Sequence, residues 1–424
     1  MVSTAVLGVL ALTALLILIG VPIFASLGIG GYLLLEVSGV LPTILLGQTL
    51  FTGLNAFALI AVPLFILTGD AIVETGLSHK LLNFTQSVFG GFRTGMGTAT
   101  LFGCGLFAAI SGSNASDAAA LGRITLDRLG ERGYPRSYSC SLVASGASTG
   151  ILIPPSISYI IVGLVFGISA STLFIAALIP GVAILLGMVV MNILVNRYQG
   201  YETGTGHPEL TDVVFSLWDA KYGLLIPFII LGGIYSGTFT PTEASSVAVI
   251  TTIIIGIGLQ TLSLPQFPEM LERSALVNGV IAPIIAIALL FSQILSALGI
   301  PEALVSAIIG TTSNFYLVTI IMMVLLFMAG AIMETTPNIL VLGPLLLPVG
   351  QRIGMDPIHF SVFFISALAV GFITPPIGLN LYVMSGVSGE SITDIAKTAV
   401  PFMIAMLAII LLIAWFPILS MWGI

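Results

Sequence analysis

The chain has 424 residues, 57% of them hydrophobic and only 7% charged, with a mean hydropathy of +1.17. Soluble domains carry roughly a quarter charged residues, so this composition excludes a soluble globular protein and indicates an all-α polytopic membrane protein. The net charge of −7 comes from scattered acids, and the absence of any basic stripe excludes nucleic acid as a partner.

Near-continuous apolar runs begin at Ala5, Ala56, Gly95, Leu173, Leu224, Val247, Leu276, Leu317, Phe360 and Val400. At about 20 residues per crossing, they predict about 10–12 crossings, some of them half-helices or re-entrant hairpins. Met1–Ile19 lacks the basic n-region of a cleaved signal and reads as the first spanning helix. Cys104 and Cys140 have no CxxC or metal spacing and read as packing residues. His79 and His207 lie in loop-like contexts and read as solvated.

The first polar interruption is Ser111-Gly-Ser-Asn-Ala-Ser-Asp117, set between an apolar run ending at Ile110 and the small-residue run Ala118–Leu121. This pattern predicts a re-entrant hairpin near 95–125 with its tip at membrane depth. Ser113 and Asn114 offer neutral oxygens, an unwound tip adds carbonyls, and the following half-helix presents N–H groups and a positive dipole end. Together they suit a hard monovalent cation beside an anionic solute. Asp117 costs roughly 2.5–3.5 kcal/mol at a helix centre in hydrocarbon, which marks it as functional unless it simply caps a helix.

Arg123, Arg128, Arg132 and Arg136 follow, a concentration that assigns this loop to the cytoplasm. Next comes Gly150-Ile-Leu-Ile-Pro154-Pro155. Two adjacent prolines remove two donors and clash with the preceding turn, so a discontinuous helix is expected near 137–166. The carbonyls of Gly150 and Ile151 lose their donors and are open to an ion, since lipid supplies none. Ser156, Ser158 and Tyr159 continue the polar lining.

A polar stretch from Arg197 to Lys221, with Glu202, His207, Glu209, Asp212 and Asp219, divides the chain. It reads as a linker, or as an amphipathic surface arm inserting Val213, Val214, Phe215, Leu217 and Trp218. The second half repeats the pattern. Met333-Glu-Thr-Thr-Pro-Asn338 predicts a hairpin near 317–350, with Glu334, Thr335 and Thr336 at its tip. Gly371-Phe-Ile-Thr-Pro375-Pro376 predicts a broken helix near 358–386, with free carbonyls at Gly371 and Phe372, Thr374 before the step and Asn380 beyond it.

Gly122 and Gly343, Gly133 and Gly354, Gly150 and Gly371, and the two double prolines all register at one offset. The expected organisation is a first repeat at 1–196, a linker at 197–221 and a second repeat at 222–424. The loop Gln351–Pro357 carries one arginine against four in its counterpart, which places the two on opposite sides, as in inverted repeats. Broken helices at matching positions of two halves point to a transporter's ion and solute site.

At SGSNASDAAALGRI (Ser111–Ile124), GILIPPS (Gly150–Ser156), METTPN (Met333–Asn338) and GFITPPIGLN (Gly371–Asn380) the chain resembles the large membrane subunit of tripartite ATP-independent periplasmic (TRAP) transporters. The resemblance covers the whole chain. It implies an inverted-repeat, elevator-type fold with two re-entrant hairpins and two discontinuous helices, importing a small organic acid by sodium coupling across the bacterial inner membrane. It implies sodium at two or more sites: Ser111, Ser113, Asn114 and Gly150, with Pro154 at the break, and Thr336, Gly371 and Thr374. Substrate is expected between the hairpins near Ser113, Ser158 and Glu334, with Ser156, Thr335 and Asn380 assigned beside them. Arg123 either balances the anion or serves as a positive-inside anchor.

A carboxylate cargo beside Glu334 would be repelled unless sodium intervenes, Glu334 is protonated or it binds cargo hydroxyls. The last option favours a sugar acid such as sialic acid; dicarboxylates are the other cargo class expected. The implied partners are a small four-helix membrane subunit (Q-type), expected as a separate polypeptide, and a periplasmic substrate-binding protein. The competing readings are a sodium/carboxylate symporter needing no binding protein and, behind it, an ion channel. Gly146-Ala-Ser148-Thr149 with His359 as base would make a membrane serine protease, but Pro357 and Pro135 were assigned opposite sides and no HExxH is present, so no enzyme is expected.

Overall fold

A computed structural model describes residues 4–204, 209–263 and 265–424; His207 lies outside the described residues. Among the described residues the chain is helical, with no strand, and seven helices are long and apolar enough to cross a membrane. Further apolar helices of 10–17 residues, including Thr4–Leu18, complete the bundle.

The two halves repeat in their helix boundaries. The first hairpin consists of Gly95–Ser111 and Asn114–Glu131; the second consists of Phe315–Ile332 and Thr335–Arg352. Both outgoing arms are 18 residues long, and Asn114 and Thr335 stand at equivalent starts. The first broken helix is Arg136–Ala147 followed by Ile157–Phe166, and the second is Pro357–Gly371 followed by Leu379–Ser388. Gly133 and Gly354, at φ 90° and 91°, turn the chain between hairpin and broken helix in each half. That left-handed backbone favours glycine, which explains the pair.

An outer frame surrounds this inner bundle. Ala61–Glu74 packs on Pro241–Gly258, and Leu77–Phe89 packs on Leu210–Tyr235. Outward positions such as Phe228, Ile254 and Leu276 are exposed and apolar, as lipid-facing residues are. The inner halves of the broken helices are enclosed instead: Tyr138–Ala147 and His359–Gly371 are continuously buried. Long helices Ala170–Gln199 and Ile392–Trp415 cross one another against this centre.

Three local expectations change. Arg123 and Arg128 belong to the outgoing arm of the first hairpin rather than to a loop, because the run after Ala118 holds no proline and its glycines, Gly122 and Gly130, stay helical until Gly133 turns the chain. From Leu210 the polar stretch is already helix and continues to Tyr235 without interruption. Its polar side is held by Lys80 Nζ to Asp219 Oδ1 at 2.7 Å, so it is the start of a frame helix and not a separate arm. Finally, Pro154 and Pro155 are buried whereas Pro375 and Pro376 are exposed, so the two breaks sit in unequal surroundings. Both proline–proline bonds are cis.

Candidate functional site

The first hairpin turns at Gly112, whose φ of 62° ends the incoming arm. Ser113, in extended conformation, starts the outgoing arm without a side-chain cap bond. The hydroxyl of Ser111 donates to Asp117 Oδ1 and accepts from the Ser113 N–H at 3.2 Å. Asp117 is fully buried, and its Oδ2 has no hydrogen-bond partner. A Cβ on Gly150 would lie 2.6 Å from that oxygen and 2.8 Å from the Asn114 nitrogen. Gly150 therefore lets the broken helix close onto the hairpin tip, which brings Ser111, Ser113, Asn114, Asp117 and Gly150 into one place. The Ile157 N–H, 3.5 Å from the Gly112 carbonyl, joins the far side of the break to the same tip.

Of the four carbonyls expected to be free, three have acquired donors. Ile151 O accepts from Ser156 Oγ at 2.9 Å, Gly371 O from the Thr374 N–H at 3.1 Å, and Phe372 O from the Asn380 N–H at 3.0 Å. Only the Gly150 carbonyl has no donor among the described residues. Ser156 thus mends the break beside buried Pro154, and Ser158 and Tyr159 are buried in the next turn.

The second tip solves the same problem differently. Met333 is extended, and Glu334 caps the outgoing arm by accepting the Thr336 N–H at Oε2, 2.7 Å away. Asn338 Nδ2 donates to the carbonyls of Ala329, Met333 and Glu334 at 3.1–3.2 Å, which leaves its Oδ1 without a partner. Thr335 Oγ1 is likewise buried and unpartnered. A Cβ on Gly371 would overlap the backbone of Gly330 and Ala331, so this break also closes onto its hairpin. Ile377 and Gly378 both donate to the Ala331 carbonyl at 3.2 Å.

The shared offset now assigns partners that local pattern does not. Asp117 corresponds to Asn338, and Ser145 to Ser366; each of the four carries a buried side-chain atom with no hydrogen-bond partner. Seven such side-chain atoms occur among the described residues, and these two pairs fall at equivalent positions. Most buried polar groups find a partner, so a repeated lapse at both tips and both broken helices marks a place built for something else.

Several expected residues stand elsewhere. Asn380 is fully buried and bridges the halves: its Nδ2 donates to Ala144 O at 2.9 Å and Ser148 Oγ at 3.2 Å, and its Oδ1 accepts from Asn114 Nδ2 at 3.2 Å. Those bonds use both Nδ2 hydrogens and one of the two acceptor positions on Oδ1, so the side chain is chiefly a bridge between the halves. Arg123 is exposed, nine residues beyond Asn114. At 1.5 Å per residue its Cα lies about 13 Å along the helix from the tip. Thr374 Oγ1 turns back onto Val370 O at 2.9 Å. His359 is held by Ser420 Oγ at 2.6 Å and Ala414 O at 3.2 Å, a packing role far in sequence and contact from Ser148.

Sequence reasoning missed Asp70. It lines a cavity with Ser111, Ser113 and Ser116, and it accepts from Ser274 Oγ at 2.6 Å. The signal was present: an acid within the apolar run that begins at Ala56.

Residues 10–419 match the family model described as tripartite ATP-independent periplasmic transporter, DctM component. The isethionate TRAP transporter permease protein DctMQ of Oleidesulfovibrio alaskensis is 33% identical over 96% of this chain, which spans only 64% of that protein. The C4-dicarboxylate TRAP transporter large permease protein DctM of Rhodobacter capsulatus is 32% identical over 96% of each chain. The sialic acid TRAP transporter large permease protein SiaM of Vibrio cholerae is 31% identical over 87% of each. In fold, the chain is similar to the Alcanivorax borkumensis YdaH transporter, with a TM-score of 0.66, 15% identity and 98% coverage of both chains. These relatives are transporter permeases rather than enzymes, and the chain belongs to the DctM component family of tripartite ATP-independent periplasmic transporters, multi-pass proteins of the bacterial inner membrane.

Proposed function

We propose that the protein imports a small organic acid by secondary transport coupled to sodium, with sodium as co-transported cargo at the two hairpin tips. The observation that carries this reading is the matched pair of unsatisfied buried oxygens, Asp117 Oδ2 and Asn338 Oδ1. The first lies beside the unclaimed Gly150 carbonyl and the Ser111–Ser113–Asn114 turn. A hard monovalent ion takes oxygen donors of this kind, and an anionic carboxylate at one tip offsets its charge. The second set is Asn338, Thr335 and Thr336, with Gly371 holding the break against the hairpin. Cargo lies between the tips, near Ser113, Ser158 and Glu334.

The inner bundle of hairpins and broken helices moves as an elevator against the outer frame. Backbone hydrogen bonds from Ile157 to Gly112, and from Ile377 and Gly378 to Ala331, tie each tip to its broken helix during that motion. A small membrane subunit braces the frame, and a periplasmic binding protein delivers cargo. The relatives carry isethionate, C4-dicarboxylate and sialic acid in their names, so kinship alone spans three cargo chemistries. Reconstituted complex with its binding protein tests the reading: uptake should require an inward sodium gradient and fail with potassium. Equal uptake under both cations would refute the coupling.

A further inference from the structure

A cavity of about 310 Å³ lies where the outer frame meets the first hairpin. Ser113, Ala115 and Ser116 line it from the hairpin, and Ile66, Asp70 and Ile281 from the frame. The two bodies are tight at its edge, where a Cβ on Gly69 would stand 3.3 Å from Ser111 Cβ. Asp70 is therefore held one residue from the point where frame and tip touch.

The charge at this wall is only partly compensated. Asp70 Oδ2 accepts from Ser274, but Oδ1 has no hydrogen bond among the described residues. The nearby cation, Arg273, is engaged at 2.5 Å by Glu74. Asp70, Glu74 and Arg273 together sum to one negative charge. Tying Ala61–Glu74 to Gln266–Ala297 through Ser274 needs only a neutral acceptor, so helix packing does not account for the carboxylate. On the opposite wall, Ser113 starts its helix without a side-chain cap bond, and the N–H groups there favour an anion. The cavity is thus negative on the frame side and offers hydroxyl and N–H donors on the hairpin side, where the proposed sodium offsets the Asp117 carboxylate.

We propose that Asp70 is a specificity-determining residue that selects a monoanion carrying a hydrogen-bond donor at its far end. The proposal rests on the organic-acid reading above. With the cargo's acid group at the hairpin, a hydroxyl or ammonium group donates to Asp70 Oδ1. A second carboxylate at that place meets a like charge across a low-dielectric gap and is rejected. The cargo class is a hydroxy acid, amino acid or hydroxysulfonate, and a C4-dicarboxylate is disfavoured.

The test is thermal stabilisation of the purified complex in saturating sodium by glycerate, 2-hydroxyethanesulfonate, propionate and succinate. Wild type should respond to glycerate or 2-hydroxyethanesulfonate at concentrations at least tenfold below those needed for succinate or propionate. Asp70→Asn should narrow the gap to succinate to about threefold or less and leave the sodium midpoint unchanged. Ser274→Ala, which keeps the charge, should keep the wild-type order and separates charge from a folding defect. The proposal is overturned if succinate matches or beats the hydroxylated anions in wild type, if Asp70→Asn keeps the order, or if no anion acts. A shifted sodium midpoint with unchanged cargo order would make Asp70 a cation residue and also overturn it. Sodium-driven succinate uptake would sink this proposal while leaving the organic-acid reading intact; absence of any organic-anion uptake would sink both.

Discussion

Asn114 at the tip of the first hairpin donates to Asn380, 266 residues later on the second broken helix, across 3.2 Å. The same Asn380 reaches Ala144 and Ser148 on the first broken helix. One amide therefore joins three of the four special segments and couples the halves at the level of the proposed ion site. A ligand that orders Asn114 would therefore act directly on a residue of the second half.

Asn380→Ala removes that bridge and leaves the buried Asn114 side-chain amide without its partner. Leaving a buried polar group unpaired costs about 1–3 kcal/mol, so a stability loss of this size is expected in denaturant unfolding of the purified protein. Sodium activation of uptake should also weaken, because Asn114 loses its orientation. Wild-type stability in the variant would mean that the bridge carries no load.

Glycines separate contact from mere flexibility. Gly150→Ala and Gly371→Ala each drive a Cβ into backbone or carboxylate atoms of a hairpin tip, and both should reduce the folded yield or abolish uptake. Gly130 has open space around its Cβ direction and lies inside a helix. Gly130→Ala should therefore be neutral or stabilising by about 0.5–1 kcal/mol. Melting temperatures of the three variants check the ranking.

Glu202, in the connector after Ala170–Gln199, supplies the pH dependence. Its carboxylate accepts from the Met96 N–H at 3.0 Å and from the Tyr134 hydroxyl at 2.9 Å. Burial nevertheless lifts its pKa above the ordinary 4.5, against the downward pull of Tyr134, Met96 and Arg132. The folded state thus keeps this proton to higher pH than the unfolded chain does. Its contribution is fully present below pH 4.5 and is lost as pH rises through the raised value. Glu202→Gln should flatten the fall in melting temperature on the alkaline side of pH 4.5; an unchanged slope would remove Glu202 as its source.

The double prolines and polar turns were legible in sequence because each breaks a local rule. Prolines cannot continue a helix, and serines, asparagine and aspartate interrupt an apolar run. Their shared offset was legible too, and it places Asp117 with Asn338 and Ser113 with Glu334. Glu334 lies one residue before the outgoing arm and caps it. What sequence could not supply was pairing over distance: nothing local to Asn380 tells that its amide ends on Ala144 and Asn114. Asp70 lay hidden for a related reason, since its meaning comes from the hairpin serines it faces across the cavity. The carbonyls at Ile151, Gly371 and Phe372 were misjudged because Ser156, Thr374 and Asn380 fold back to satisfy them.

Sodium-dependent melting of the purified complex, with potassium as control, addresses the paired tip sites most directly. A ligand that binds only the folded state raises its stability by about 2.7 kcal/mol at a hundredfold excess over Kd. Sodium should raise the wild-type midpoint by several degrees over potassium, with a smaller rise in Asp117→Ala and in Asn338→Ala, and none in the double variant. An undiminished sodium response in the double variant would contradict cation binding at the unsatisfied oxygens of the two hairpins.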